Sequence, residues 1–160
     1  MTVLPWTATL GRLLLGGAFA YAGLLKLPDP AASVRAVRAY RLLPESLVPL
    51  FGYGLPVLEV LIGLVLILGL HVRLGALAAG VLLVVFMAAI GSAWARGLRI
   101  DCGCFDAGGE VGAGETSYGS ELLRDGGLLL VAAALARWPT SRLALDHDLH
   151  APPRVREESR

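Results

Sequence analysis

Charged residues are scarce in this chain, and their scarcity argues against a soluble fold. Only 17% of the 160 residues are charged and 56% are apolar before the 20 glycines are counted, whereas an average soluble domain is about 25% charged. The mean hydropathy is +0.67. A net charge of +1 also lacks the basic excess that nucleic-acid binding requires. The length predicts one domain.

Long apolar runs are what the sequence has instead, and they predict an all-α, four-helix transmembrane bundle. A helix needs about 20 apolar residues to cross the hydrocarbon core of a bilayer. The predicted spans cover residues 6–25, 48–70, 74–95 and 118–138, so the transmembrane domain is 1–138 and the polar stretch 139–160 is expected to be disordered. The fourth span requires Arg124 to snorkel toward headgroups and Asp125 to face other helices.

The connections between the spans are predicted to differ in kind. Residues 70–73 leave room only for a tight turn, so the second and third spans form an antiparallel hairpin. Residues 31–43 carry Arg35, Arg38 and Arg41 three apart among apolar residues. This pattern predicts a short amphipathic helix that lies in the membrane interface. The first span has no basic region before it and no small-residue cleavage site after it, so it is expected to stay in the protein.

Small residues recur along the first span at helical spacing. Gly16, Ala20 and Gly23 are separated by four and three residues. Such spacing lets two membrane helices approach closely. It predicts a tightly packed bundle and says nothing about chemistry.

The only two cysteines lie in the longest loop, 96–119, as Cys102-Gly103-Cys104. A disulfide between them would enclose a single residue, so it would stabilise the chain very little. It would also be strained and easily reduced, which suits a redox pair. Because thiol–disulfide chemistry persists outside the cytosol, the loop is expected to be extracytoplasmic and both termini cytoplasmic. Basic residues number seven on each side and do not decide the orientation.

A zinc site is the alternative use of the two thiols. They would fill half of a tetrahedral shell. The only histidines, His71, His147 and His150, fall on the opposite side of the predicted membrane. No metal site is therefore predicted within one chain, although two chains together would meet the requirement. Structural cysteines without any redox role remain a further alternative.

Glu59 is an acidic residue near the middle of the second span. Carboxylates at that depth face the interior of a bundle and have a partner. Arg12 is the nearest basic residue in predicted depth, about one helical turn away. Lys26 is placed near the outer end of the first span, and Asp125 about one turn below the outer surface. The set predicts either a structural polar network or a route for protons.

Thiol oxidation needs an electron acceptor, and the sequence shows no ligands for haem, flavin or an iron–sulfur cluster. The acceptor is expected to be a membrane quinone or the thiols of another protein. Phe105, Trp94 and Tyr118 flank the loop and are candidates to stack on a quinone ring. Aromatic residues near an interface also serve as membrane anchors.

Several of these positions together resemble a known family. They are Lys26, Tyr40 with Leu43-Pro44, Leu55-Pro56-x-x-Glu59, and Gly97-x-x-Ile100-x-Cys102-Gly103-Cys104-Phe105. The pattern is similar to the methylamine-utilisation protein MauE family, related to the DoxX-like four-helix membrane proteins. The resemblance extends over about residues 5–138. Asp106 departs from it, because glycine usually follows the phenylalanine in that family.

The resemblance implies a redox protein of the cytoplasmic membrane. It implies help in forming the disulfides of a periplasmic methylamine dehydrogenase subunit, alongside a thioredoxin-like partner. Cys102 and Cys104 would carry the redox role, and Glu59 and Lys26 match polar positions typical of the family. A conduit that carries reducing power outward is disfavoured because no thiol lies on the other side. A non-catalytic membrane assembly factor is the remaining alternative.

Overall fold

The computed structural model describes residues 3–101, 109–110 and 118–138. These residues form five helices and two short strands. In chain order they are α1 (Val3–Lys26), α2 (Pro30–Ala39), α3 (Val48–Leu68), α4 (Val72–Ala95), β1 (Ile100–Asp101), β2 (Gly109–Glu110) and α5 (Tyr118–Arg137). The predicted tail, 139–160, lies outside the described residues.

The four long helices close into a ring. α1 packs mainly against α3, α4 packs mainly against α5, and smaller contacts join α3 to α4 and α1 to α5. The four predicted spans thus correspond to four helices with nearly the predicted bounds. Among the described residues, three helices are long and apolar enough to cross a membrane: α1 from Trp6, α3 and α4. α5 does not reach that apolarity.

The core of the ring is aliphatic, and so is much of its outer surface. The central buried side chains are Leu15, Phe19, Ile62, Leu66, Ala76, Ala79, Leu82, Leu83, Ala132 and Leu135. Leu50, Val81 and Leu130 point outward and are 67%, 66% and 74% exposed. Exposed apolar surface of this extent is typical of helices that face lipid.

Glycine allows α1 and α3 to lie almost in backbone contact, as the small-residue spacing predicts. A Cβ atom added to Gly23 would lie 2.6 Å from the carbonyl oxygen of Pro56 and 2.6 Å from Val60 Cγ2. One added to Gly63 would lie 2.5 Å from the backbone nitrogen of Ala20. These contacts fix the vertical register of the two helices.

A tight turn joins α3 to α4, as predicted. Gly69 ends α3 at φ 72°, a left-handed conformation that glycine adopts without strain. Its N–H donates to the carbonyl of Leu66, and the N–H of Leu70 donates to the carbonyl of Val65. We call this end of the ring, with residues 66–75, the turn end.

α2 covers the opposite end of the ring, but it is shorter than the predicted helix 31–43. It ends at Ala39, and Arg41 has φ 51°, which breaks the helical backbone. Arg96 holds this bend, because its guanidinium donates to the carbonyls of Tyr40 and Arg41 at 2.6 and 3.4 Å. We call this end, comprising α2 and the adjoining ends of α1, α3, α4 and α5, the α2 end.

The polar side of α2 is held by charged side chains, while its other side packs on α3. The N–H of Ala32 donates to Asp29 Oδ1 at 3.0 Å, which caps the helix and holds the pKa of Asp29 below its usual range. Arg38 donates to Glu45, lowering the pKa of that carboxyl. On the buried side, Val34 packs directly on Gly52. A location of α2 in the membrane interface stays a prediction.

The strands β1 and β2 form an antiparallel pair that the sequence did not predict. Ile100 pairs with Glu110, and Asp101 pairs with Gly109. Ile100 is buried in a small cluster with Ala39, Ile90, Ala93 and Tyr118. β2 lies beside α2. The strand pair is therefore part of the α2 end.

Candidate functional site

The cysteine segment leaves the bundle at a well-anchored point. The backbone N–H of Ile100 donates to the hydroxyl of Tyr118 at 3.1 Å, and that hydroxyl donates to the carbonyl of Leu98. Tyr118 thus ties the first turn of α5 to the stretch that precedes Cys102. Residues 102–108, with Cys102, Cys104 and Phe105, lie outside the described residues. The register of β1 and β2 nonetheless brings the two ends of this segment together.

Two of the three aromatic residues predicted to contact an acceptor lie against each other. The rings of Trp94 and Tyr118 stack with their centroids 6.1 Å apart. Tyr118 is 7% exposed, whereas Trp94 is 57% exposed. One face of the Trp94 ring is therefore engaged by Tyr118. A role for this pair in contacting an acceptor stays a prediction.

Lys26 and Glu59 form a buried ion pair at the α2 end. Lys26 Nζ donates to Glu59 Oε1 at 2.8 Å and to Oε2 at 2.9 Å. Their side chains are 14% and 2% exposed. Side chains lean toward the N-terminus of their own helix, so in antiparallel α1 and α3 these two lean toward each other. Lys26 is also the only lysine of the chain.

Arg12 is not the partner of Glu59, and the predicted depth of Glu59 relative to Arg12 was wrong. Gly23 lies against Pro56, so the first two turns of α3 extend beyond the end of α1 and are covered by α2. The sequence prediction had assumed that all spans end at one level. Arg12 is 14 residues before Lys26 and thus about 21 Å away along α1. It is buried there, at 2% exposure.

Asp125 lies on the other side of a small void from the ion pair. The void has a volume of about 20 Å³ and is lined by Glu59, Asp125 and apolar side chains such as Phe19 and Phe86. Arg124 donates to Asp125 Oδ1 at 3.0 Å. Asp125 Oδ2 is buried without a hydrogen-bond partner among the described residues. The void has room for one water, which would meet two carboxylates there.

A larger cavity opens on the far side of Lys26. It has a volume of about 380 Å³ and lies between α2, α3 and α4. Pro56 and Phe86 line it together with other apolar side chains. The lining residues with polar side-chain atoms are Lys26, Ser33 and Tyr40. The structure therefore brings Lys26, Glu59 and Asp125 into one cluster between two cavities, and it leaves Arg12 out.

A family model described as methylamine utilisation protein MauE matches residues 4–138. The chain belongs to the MauE family. Membership indicates a role in methylamine utilisation and agrees with the three apolar helices, each of which is a candidate membrane span among the described residues. No match was found among curated proteins or among solved structures. The family match covers all the residues of the ion pair, both cavities and the two cysteines.

Sequence reasoning missed two buried polar residues at the α2 end of this MauE-family chain, Glu121 and Ser33, and a third, Thr9, elsewhere in α1. Glu121 lies four residues before Asp125 and is buried on the same face of α5. Acidic residues at this spacing share a helix face, so the pattern was visible in the sequence. Ser33 is 6% exposed on the buried side of α2. A lone serine in a short amphipathic helix gives no such signal, and only the fold shows that it lines a cavity.

Proposed function

We propose that the protein is a membrane thiol–disulfide oxidoreductase whose redox pair is Cys102 and Cys104. In the proposed reaction a disulfide between these residues passes to an extracytoplasmic thioredoxin-like partner. Two thiols of the partner are oxidised, and the two cysteines are reduced. A membrane quinone then takes the two electrons and two protons from Cys102 and Cys104, which restores their disulfide. The family match supports a role in methylamine utilisation, and within that role we propose that the disulfides serve the maturation of methylamine dehydrogenase.

The anchored strand pair is the observation that supports the proposal most. Tyr118 and the cluster around Ile100 hold the start of the cysteine segment against the bundle. The same end of the bundle holds the Lys26–Glu59 pair and Asp125. Protons released by thiol oxidation would therefore have acceptors close by. The proposed proton path runs from Asp125 through a water in the small void to Glu59.

The proposed topology has four spans, with α5 as the least apolar. Its buried face carries Glu121 and Asp125, so these two carboxylates point into the ring rather than toward lipid. Both termini are then cytoplasmic, and the cysteine segment is extracytoplasmic. A membrane-impermeant reductant followed by a membrane-impermeant maleimide, both applied to intact cells, should label Cys102 and Cys104. Labelling that occurs only after lysis would overturn this topology.

The decisive experiment follows electrons from the thiols to a quinone. The purified full chain, reduced and in lipid nanodiscs, is mixed with decylubiquinone, and free thiols and quinol are counted over time. We expect one quinol for each pair of thiols lost, because a disulfide releases two electrons. The Cys102→Ser and Cys104→Ser variants should form none. Wild-type protein that forms no quinol and loses no thiols would overturn the redox proposal.

Partner exchange has its own test. With Cys104→Ser, the remaining Cys102 should form a mixed disulfide with a thioredoxin-like protein added in its oxidised form, and the reverse variant shows which cysteine reacts first. If neither variant forms one, and the double variant still supports methylamine growth, the proposal fails. That combined outcome favours the assembly-factor alternative, in which the Lys26–Glu59 pair serves stability only.

A further inference from the structure

We propose that the 380 Å³ cavity between α2, α3 and α4 is a quinone site in which Lys26 and Ser33 donate hydrogen bonds to the two carbonyl oxygens of the ring. This cavity would hold the electron acceptor of the proposed function. Its role in electron transfer rests on that function. Binding of a quinone to the cavity does not depend on the cysteines. The two proposals can therefore fail separately.

The cavity suits a ligand that arrives from lipid. Its volume lies within the range of about 300–1,000 Å³ that is usual for small-molecule sites. Its rim includes Phe51, Leu58 and Val85, which are 41%, 44% and 54% exposed on the apolar surface of α3 and α4. An apolar molecule can thus enter sideways, without crossing a polar surface.

Two hydrogen-bond donors face this apolar space. Ser33 Oγ is buried and has no hydrogen-bond partner among the described residues, although Ser33 lines the cavity. A buried hydroxyl without a partner is costly, so a ligand that accepts from it would be stabilised. Lys26 is the second donor, since its ammonium has three N–H groups and also lines the cavity. A ligand with two acceptor oxygens and no charge satisfies both.

The charge balance favours a neutral ligand over a phospholipid headgroup. Glu59 already neutralises Lys26, through two hydrogen bonds to its carboxylate. Asp125 adds a further carboxylate nearby, itself paired with Arg124. A phosphate would therefore meet no net positive charge. A quinone carbonyl needs only a donor, and a hydrogen bond from a charged group is stronger than one from a neutral group.

The cavity is also connected to the start of the cysteine segment. Tyr40 lines the cavity, and its carbonyl accepts from Arg96 at 2.6 Å, at the end of α4. β1 begins four residues after Arg96, and Cys102 follows β1 in the sequence. In the proposed step the two S–H bonds of Cys102 and Cys104 break and one S–S bond forms. Two electrons and two protons reduce the quinone to a quinol.

The test measures binding of decylubiquinone to the full chain with both cysteines changed to serine, in phosphatidylcholine nanodiscs. Ala89 lines the cavity, whereas its neighbour Ala88 is exposed and does not line it. Ala89→Phe should weaken binding about tenfold or more by filling the space, and the matched control Ala88→Phe should leave it unchanged. Equal effects of the two substitutions would overturn the site.

The donors are tested in backgrounds that keep the fold. Lys26→Met with Glu59→Leu removes the whole ion pair, and Ser33→Ala removes the hydroxyl. We expect losses of about tenfold and about threefold for decylubiquinone and no loss for decylbenzene, which lacks carbonyl oxygens. Losses that are equal for both probes would show apolar binding only and overturn the assigned hydrogen bonds.

Photolabelling locates the quinone in the wild-type chain, without any substitution. An azido-quinone should label peptides of α2, α3 and α4 that line the cavity, and excess decylubiquinone should prevent it. Labelling confined to the Trp94 and Tyr118 region would place the quinone there and overturn the proposal. Quinone binding at the cavity together with unreactive thiols would leave this site intact and overturn only the proposed function.

Discussion

The two ends of the helical ring differ in the side chains that fill their interior. At the turn end, α3 and α4 close over Leu66, which is fully buried, and Gly75 brings the helices together. The buried polar side chains toward this end, among the described residues, are Thr9 and Arg12 of α1. At the α2 end, four buried polar side chains face the interior: Ser33, Glu59, Glu121 and Asp125. Both described cavities lie toward this end as well.

The difference shows which end of the fold contains destabilising features. The aliphatic packing of α3 against α4 at the turn end needs no polar partners and tolerates no empty space. Buried carboxylates and an open cavity at the α2 end are destabilising unless they are paired or occupied. Such features are retained where a protein binds or moves something. The proposed function is therefore assigned to the α2 end, and the following substitutions test how far the two ends differ.

The largest effect is expected from breaking the Lys26–Glu59 pair. Glu59→Leu leaves the Lys26 ammonium buried without its carboxylate, so the free energy of unfolding should fall by about 3–5 kcal/mol. The double variant, Lys26→Met with Glu59→Leu, should recover most of that loss because no charge remains buried. Thermal unfolding in detergent, arranged as a double-mutant cycle, measures both.

The exposed pair Arg38–Glu45 is the matched control for this cycle. Both side chains are exposed, at 48% and 67%, so truncating either should change stability little. If Glu59→Leu costs no more than Glu45→Ala, the buried pair does not stabilise the fold. The proposed contrast between the two ends would then lose its electrostatic basis.

Substitutions at the close helix contacts should also destabilise the α2 end more than the turn end, but by a smaller amount. A Cβ on Gly23 would meet the backbone oxygen of Pro56 at 2.6 Å, and the displaced helix would carry Lys26 away from Glu59. Gly23→Ala should therefore cost about 1–3 kcal/mol. At the turn end, a Cβ on Gly75 would meet side chains rather than backbone, those of Leu66 at 3.0 Å and Val65 at 3.2 Å, so Gly75→Ala should cost less.

Gly17→Ala is the control for both glycines. A Cβ there has no neighbour within 4 Å, and alanine favours the helix by up to about 1 kcal/mol, so stability should rise. Thermal unfolding of the three variants gives the order directly. A Gly23→Ala variant as stable as Gly17→Ala would show that α1 and α3 are not in backbone contact.

The long helices were predictable because their signal is local. Runs of apolar residues fixed the bounds of α1, α3 and α4 closely, and the end of α3 at Gly69 follows from glycine's left-handed preference. The end of α2 was not predictable, since Arg41 bends there under hydrogen bonds from Arg96, 55 residues away. The strand pair was missed because two-residue strands have no periodicity to detect.

The candidate site was only partly predictable because its geometry depends on helix register. Glu59 and Lys26 stood out as rare charges, but their pairing required knowing that α3 extends past the end of α1. That offset comes from the contact of Gly23 with Pro56, which no composition or spacing of one helix reveals. The same holds for Ser33, whose place in the cavity wall depends on how α2 lies across α3.

The smallest expected effect concerns the cap that holds α2 over the cavity. Asp29 accepts from the N–H of Ala32, and this hydrogen bond holds the pKa of Asp29 below its ordinary value. The stabilisation is present above that ordinary value, about 3.9, and is lost as the pH falls through the lowered one. Protection of the Ala32 amide from hydrogen exchange should therefore persist at the ordinary pKa of an aspartate and decline only at lower pH.

Asp29→Asn keeps a side chain that can cap the helix but removes its negative charge. Asparagine caps a helix about as well as aspartate but does not titrate in this range, so the Ala32 amide should keep its protection factor at low pH. Glu45, which pairs with Arg38 beyond the other end of α2, titrates in both proteins and cancels in the comparison. If the variant loses protection as the wild type does, α2 depends on that distant pair or on its packing against Gly52. The α2 end would then be held by the same kind of packing as the turn end.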